Sequence, residues 1–192
     1  MLRAALLVML VPALAGAAPD APAYVAKKDR ERAAKSHEHG MSAAVGQKPA
    51  ALVNLYNEHT HEWLAVDPAA PPDAATQDDF LRDHFTNKSM HMDRRLVGFV
   101  VASAQRFHVD LATIVSAFRH PKYNLMLRKK GHQVARDSQH THGNAIDFSL
   151  PNIPTAQLHA WAKGQHAGGV GLYLASGFVH MDTGAIRFWS GD

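Results

Sequence analysis

Two short stretches carry side chains of the kinds that hold a metal ion. In Ser138-Gln-His-Thr-His-Gly-Asn-Ala-Ile-Asp147, His140 and Asp147 stand seven residues apart across a glycine. In Gly177-Phe-Val-His-Met-Asp182, His180 and Asp182 alternate along an apolar run. Two imidazoles and one carboxylate form the ligand set of a catalytic zinc ion with one position left for water. The chain has no cysteine, which excludes disulfides and thiolate metal sites. Any metal is therefore held by nitrogen and oxygen, and fourteen histidines make that practicable.

Such a site needs elements that bring distant residues together. Alternate side chains of a strand share a face, so Asp147 points away from Ile146 and Phe148, which belong in the core. His180 and Asp182 share a face opposite Val179 and Met181. Two neighbouring strands would present Asp147, His180 and Asp182 on one polar face, and Gly143 permits the abrupt backbone path that folds His140 over it. Each residue has an ordinary alternative: an edge carboxylate for Asp147, a satisfied core histidine for His180. Their joint spacing favours a metal, because buried charges are paired or coordinate one. Asp182 is a candidate general base. It also suits a turn in Asp182-Thr-Gly184, or a partner role to a ligand histidine. His142, able to titrate near neutrality, is the second candidate base.

The elements themselves follow from pattern. Leu52 to Tyr56 and Glu62 to Val66 flank a polar turn and predict a hairpin. From Thr76 the spacing turns helical, with Phe80, Leu81 and Phe85 on one face. Asp93 precedes a stronger helix through Leu96, Val100, Ala104 and Phe107. Leu111 to Phe118 is β-branched and central in character. Pro121 opens a short helix ended by Gly131. A strand at 144–150, a helix at 154–165 and three strands at 170–175, 178–182 and 186–190 complete the chain. This pattern predicts an α+β domain whose small antiparallel sheet carries the zinc site, flanked by helices.

A length of 192 residues allows one ordinary domain plus a leader. Arg3 and the apolar run Ala4 to Leu14, followed by small residues through Ala17, form a secretory signal peptide over 1–17, too short for a membrane span. Residues 18–50, rich in Ala, Lys, Glu and Pro, form a linker. The domain then occupies 51–192. A net charge of +3 without a dense basic block excludes a nucleic-acid protein and suits an anionic polymer such as cell wall.

The pattern Ser138-x-His140-x-x-Gly143-x-Ala145-x-Asp147 resembles the signature of the zinc D-Ala-D-Ala metallopeptidase superfamily, grouped with lysostaphin and the hedgehog signalling domain. More closely, the chain resembles its murein endopeptidase branch, the MepK-like proteins. The similarity runs from about residue 51 to 189. It includes Asn54 to Glu62, Leu81-Arg-Asp83, Ser116-Ala-Phe-Arg119 with Asn124, Gly168-Gly-Val-Gly171, and Phe178 to Gly184 through Arg187 and Trp189. The resemblance implies that His140, Asp147 and His180 bind Zn²⁺, and that Arg119 lies in the substrate cleft. A guanidinium there holds a peptide carbonyl and stabilises developing oxyanion charge; its alternative is a structural salt bridge. Ser138 is expected to orient the histidine loop or touch substrate. The implied activity is hydrolysis of peptidoglycan stem-peptide crosslinks in the periplasm or cell envelope. Where relatives place a Glu or a His before the last metal histidine, this chain has Gly177 and Phe178, so the base stays open between Asp182 and His142. The rival expectations are a D,D- or L,D-carboxypeptidase and a non-catalytic zinc-containing wall-binding module.

Overall fold

Alternating apolar residues build the opening hairpin, β1 (Val53–Asn57) and β2 (Glu62–Val66). The Asn57 side chain closes its turn by accepting the backbone N–H groups of His59 and Thr60, both at 3.1 Å. The computed structural model describes residues 52–132 and 134–191. The expected signal peptide and linker lie outside the described residues.

Asp73 caps α1 (Ala74–Phe80) by accepting the Thr76 N–H at 2.7 Å. The helix expected to carry Phe85 ends earlier. Asp83 accepts both the backbone N–H and the hydroxyl of Thr86, at 2.6 and 2.7 Å, and so closes a turn. Phe85 is left 49% exposed.

Helix α2 (Arg95–Arg106) buries Leu96, Val97, Val100, Val101 and Ala104 along one stripe. Asp93 accepts the Arg95 N–H at 3.0 Å at its start. Removing this carboxylate as Asp93→Ala is expected to cost about 1 kcal/mol in urea unfolding. The Arg95 guanidinium hydrogen bond holds the Asp93 carboxyl at about 2, below its ordinary 3.8. A depressed carboxyl stabilises above its unfolded value and loses that contribution as pH falls through its folded value. The urea midpoints of wild type and Asp93→Ala should therefore converge between about pH 4 and 2.

The remaining elements are β3 (Leu111–Ser116), α3 (Pro121–Lys129), β4 (Ala145–Ser149), α4 (Thr155–Gly164), β5 (Gly169–Tyr173), β6 (Phe178–Asp182) and β7 (Arg187–Gly191). All strands join one seven-stranded sheet in the order β2-β1-β3-β4-β6-β5-β7. The expected small antiparallel sheet is thus corrected to a larger mixed one: β1 with β3 and β5 with β7 run parallel. The first parallel pair is possible because α1 and α2 fill the long crossover between its strands. The hairpin consequently extends the same sheet that carries the later strands.

Leu55, Ile114, Ile146, Phe148, Val179 and Met181 are buried on one face of the sheet and share a core with Leu96 and Val100 of α2 and Leu158 of α4. The opposite face carries the polar residues described below. Among the described residues no helix is long and apolar enough to cross a membrane.

Candidate metal centre

Register places the polar residues in one transverse row. Ser116 lies opposite Asp147, Asp147 opposite His180, His180 opposite Gly171, and Gly171 opposite Trp189. His140 reaches the row from a 3₁₀ turn, Gln139–His142, which ends at Gly143 in the left-handed region with φ 73°. The three residues expected to bind metal therefore meet: His140, Asp147 and His180 are all buried and form a group able to hold an ion.

Their contacts define which atoms face the shared point. His140 Nδ1 donates to the Ala117 carbonyl at 2.7 Å, which leaves Nε2 with its lone pair inward. His180 Nε2 donates to the Asp182 carboxylate at 3.0 Å, which turns Nδ1 inward. His140 Nε2 and His180 Nδ1 are 3.1 Å apart, and Asp147 oxygens lie 3.2 and 2.8 Å from them. A tetrahedral ion with bonds of about 2.0–2.2 Å has ligand–ligand edges of about 3.3–3.6 Å, close to this spacing. Two lone pairs and a carboxylate converging in a buried place repel one another unless a cation or a proton sits between them. Hydrogen-bonded outer partners on both rings are also what metal-binding histidines require. The donor set fits a metal ion.

The electrostatics agree. Burial lowers His140 further than the Asp147 charge can raise it, so this ring favours its neutral form. Burial also acts to lower His180, but hydrogen bonds to Asp147 and Asp182 outweigh it and push the ring up to about 9. Burial alone would raise Asp147; the two imidazoles hold it far below the usual carboxylate range. A cation thus enters in competition with a proton on His180.

Arg119 follows β3 and is fixed by its own N–H, which donates to the His140 carbonyl at 3.1 Å. Its guanidinium donates to Ser116 Oγ at 3.3 Å and to Asn124 Oδ1 at 3.5 Å. Among the described residues it forms no ion pair with a carboxylate, so its charge is directed into the cleft. That cleft, of about 360 Å³, is lined by Arg119, Ser138, the three clustered residues, Asp137, Tyr173, Phe178, Arg187 and Trp189, among others. A larger groove of about 550 Å³ beside α2 is lined by Val66, Val97 and Val101 and contains neither a carboxylate nor an imidazole. The clustered imidazoles and carboxylate thus line the smaller, polar cleft.

The two candidate bases fall differently. Asp182 is fully buried. One of its oxygens accepts the Gly169 and Gly184 N–H groups at 2.9 Å, and the other faces His180 and Arg187. It therefore makes the turn contact and the histidine contact together. His142 is half exposed and bonds Asp137 Oδ1 at 2.6 Å. Asp137 lines the cleft and was not singled out from sequence; its only signal there is a carboxylate beside the histidine loop. Tyr173 and Trp189 both line the cleft, with the Trp189 ring 5.1 Å from His180.

The Gly-rich stretch makes room for this face. A Cβ at Gly171 would lie 2.6 Å from the Trp189 indole, which occupies that space. Gly171→Ala is expected to cost about 1–3 kcal/mol by displacing the ring. Gly98 of α2 has nothing within 4 Å of the added carbon. Gly98→Ala should instead stabilise by roughly 0.5–1 kcal/mol. Urea unfolding of the two variants checks the opposite signs.

A mixed sheet that presents two imidazoles and a carboxylate beside an arginine with no carboxylate partner among the described residues is the framework of a metal-dependent hydrolase. The chain belongs to the family described as peptidoglycan L,D-endopeptidase MepK, whose model matches residues 43–189. It is 34% identical over 116 residues to the probable peptidoglycan L,D-endopeptidase MepK of Haemophilus influenzae, covering 59% of this chain and 62% of that protein. It is 32% identical over 148 residues to peptidoglycan L,D-endopeptidase MepK of Escherichia coli K12, covering 72% of this chain and 79% of that one. The matched region thus spans less than two thirds of the Haemophilus relative's length. No solved structure matches the chain.

Proposed function

We propose that this chain is a zinc-dependent endopeptidase of the cell envelope that hydrolyses peptide crosslinks in peptidoglycan, with L,D bonds as its target. The observation that carries the proposal is the convergence of His140 Nε2, Asp147 and His180 Nδ1 in a cleft, within a chain of this family. The L,D preference comes from the relatives' names.

His140, Asp147 and His180 would hold the ion. Zinc bound there supplies a Lewis acid for the scissile carbonyl and brings the pKa of a water towards about 7. The Ala117 carbonyl and the Asp182 carboxylate fix the two rings so that their lone pairs stay inward. Arg119 donates to the carbonyl oxygen as negative charge develops on it, a role supported by its place in the cleft lining without a carboxylate partner among the described residues. Ser138, at the rim of the histidine turn, borders the bound peptide. The proton of the attacking water is taken up by Asp137, which reaches the cleft and is hydrogen-bonded to His142, and is returned to the leaving amine. Asp182, fully buried and bonded on both oxygens, acts as a positioning residue for His180.

Crosslinked sacculi incubated with the purified protein test this reading. Dimeric muropeptides should become monomeric, chelator should stop the conversion, and zinc should restore it. Loss of a terminal residue alone would indicate a carboxypeptidase, and metal binding without product a wall-binding module.

A further inference from the structure

Beside the cleft, four rings from three separate segments meet at the surface. His59, from the β1–β2 turn, stacks on His84 with centroids 4.1 Å apart. His84 meets the ring of Tyr123, in the first turn of α3, edge-on at 5.0 Å. Phe85 stacks on the same Tyr123 at 5.1 Å with an interplanar angle of 16°. Phe85 is 49% exposed, and His59 and His84 are exposed as well. A group of this kind gains little by burial, yet each contributing segment is held by a buried polar side chain. Asn57 closes the first turn and donates to the Phe80 carbonyl at 3.0 Å. Asp83, 1% exposed, closes the second turn and accepts the His120 N–H at 3.0 Å. Exposed rings grouped on hydrogen-bonded turns suit a binding surface.

Its location connects it to the cleft. His120, tied to Asp83, directly follows Arg119, and Asn124, next to Tyr123, accepts from the Arg119 guanidinium. Partial desolvation lowers the pKa of His84, the stacked His59 adds to that lowering, and the Arg119 charge contributes as well, as it also does at His140. Arg119 is therefore close to both this ledge of rings and the metal centre.

We propose that His59, His84, Phe85 and Tyr123 form a sugar subsite that receives a pyranose ring of the glycan strand from which the stem peptide hangs. A pyranose has an apolar C–H face and a rim of hydroxyls. The ledge answers with ring faces flanked by imidazole nitrogens and a phenol hydroxyl. The assignment rests on the peptidoglycan reading above and extends it from the peptide to the sugar.

The test compares two substrates, a crosslinked muropeptide dimer with its disaccharides and the same crosslinked peptide with the sugars removed. Phe85→Ala should raise KM about tenfold for the first and leave the second and both kcat values unchanged. Phe85→Leu, which keeps an apolar side chain without an aromatic face, should behave like Phe85→Ala, and Phe85→Trp like wild type. Equal losses on both substrates, or no change on either, would overturn the subsite. Should wild type cleave neither substrate, the peptidase reading fails by itself. Titration with N-acetylglucosamine oligomers then decides the subsite: binding lost in Phe85→Ala supports it, and no binding to wild type overturns it.

Discussion

Replacing His180 with alanine is expected to abolish metal uptake and to lower hydrolysis of crosslinked peptide by about a thousandfold or more. The imidazole does two things at once. Its Nδ1 is one of three donors at the shared point, and its Nε2 is the group through which Asp182 reaches that point. Losing a metal's stabilisation of the reacting carbonyl removes several kcal/mol, and each 1.4 kcal/mol is tenfold in rate. The variant also leaves Asp147, 6% exposed, without its 2.8 Å partner. Breaking one side of a buried ion pair costs about 3–5 kcal/mol. Chelated wild type keeps that hydrogen bond, so it should lose activity to the same extent yet melt at a higher temperature than His180→Ala. Metal content by atomic emission, sacculus digestion and thermal melts separate these effects. An alanine variant that retains one equivalent of metal would remove His180 from the ligand set.

The face that carries this chemistry was visible in the sequence because a strand has a period of two. Phe178-Val-His-Met-Asp182 and Ala145-Ile-Asp-Phe-Ser149 each sort into apolar and polar sides without reference to any neighbour. Which residue stands opposite which is a property of strand pairing, and pairing is non-local. The row from Ser116 to Trp189 therefore could not be read, nor could the reason for Gly171, whose missing side chain matters only because Trp189 crosses it. The sheet's size escaped for a related reason. Parallel pairing of β1 with β3 joins residues separated by two helices, and a hairpin at the start of a chain gives no sign of which edge it will extend. The helix expected to reach Phe85 failed locally: the spacing of Phe80, Leu81 and Phe85 fits a helix, but Asp83 offers Thr86 a side-chain acceptor and the backbone takes it. That turn is also what exposes Phe85. The role of Asp182 stayed divided in the sequence because the same carboxylate serves a turn amide and a histidine, on different oxygens.

Asp182→Asn and Asp137→Asn are expected to impair the protein in different ways. An amide at position 182 keeps the size of the side chain but removes the negative charge that orients His180. Loss of such an outer partner costs about 10–100-fold in metal affinity or activity. Because the ligand atoms themselves remain, excess zinc should restore most of the activity of Asp182→Asn. Arg187 then loses its 2.6 Å partner, but its side chain is 45% exposed and water can replace the carboxylate. Among the described residues Asp137 makes no hydrogen bond to the three clustered residues and pairs with His142. Asp137→Asn should therefore bind metal as wild type does. If this residue carries the proton, kcat should fall by about 10²–10⁴-fold and no amount of zinc should restore it. His142→Gln, which removes the imidazole bonded to Asp137, should lower turnover without changing metal content. The opposite pattern is equally readable. An Asp182→Asn protein that is fully loaded with zinc and still slowed well beyond about a hundredfold would mean that the buried carboxylate does more than position His180.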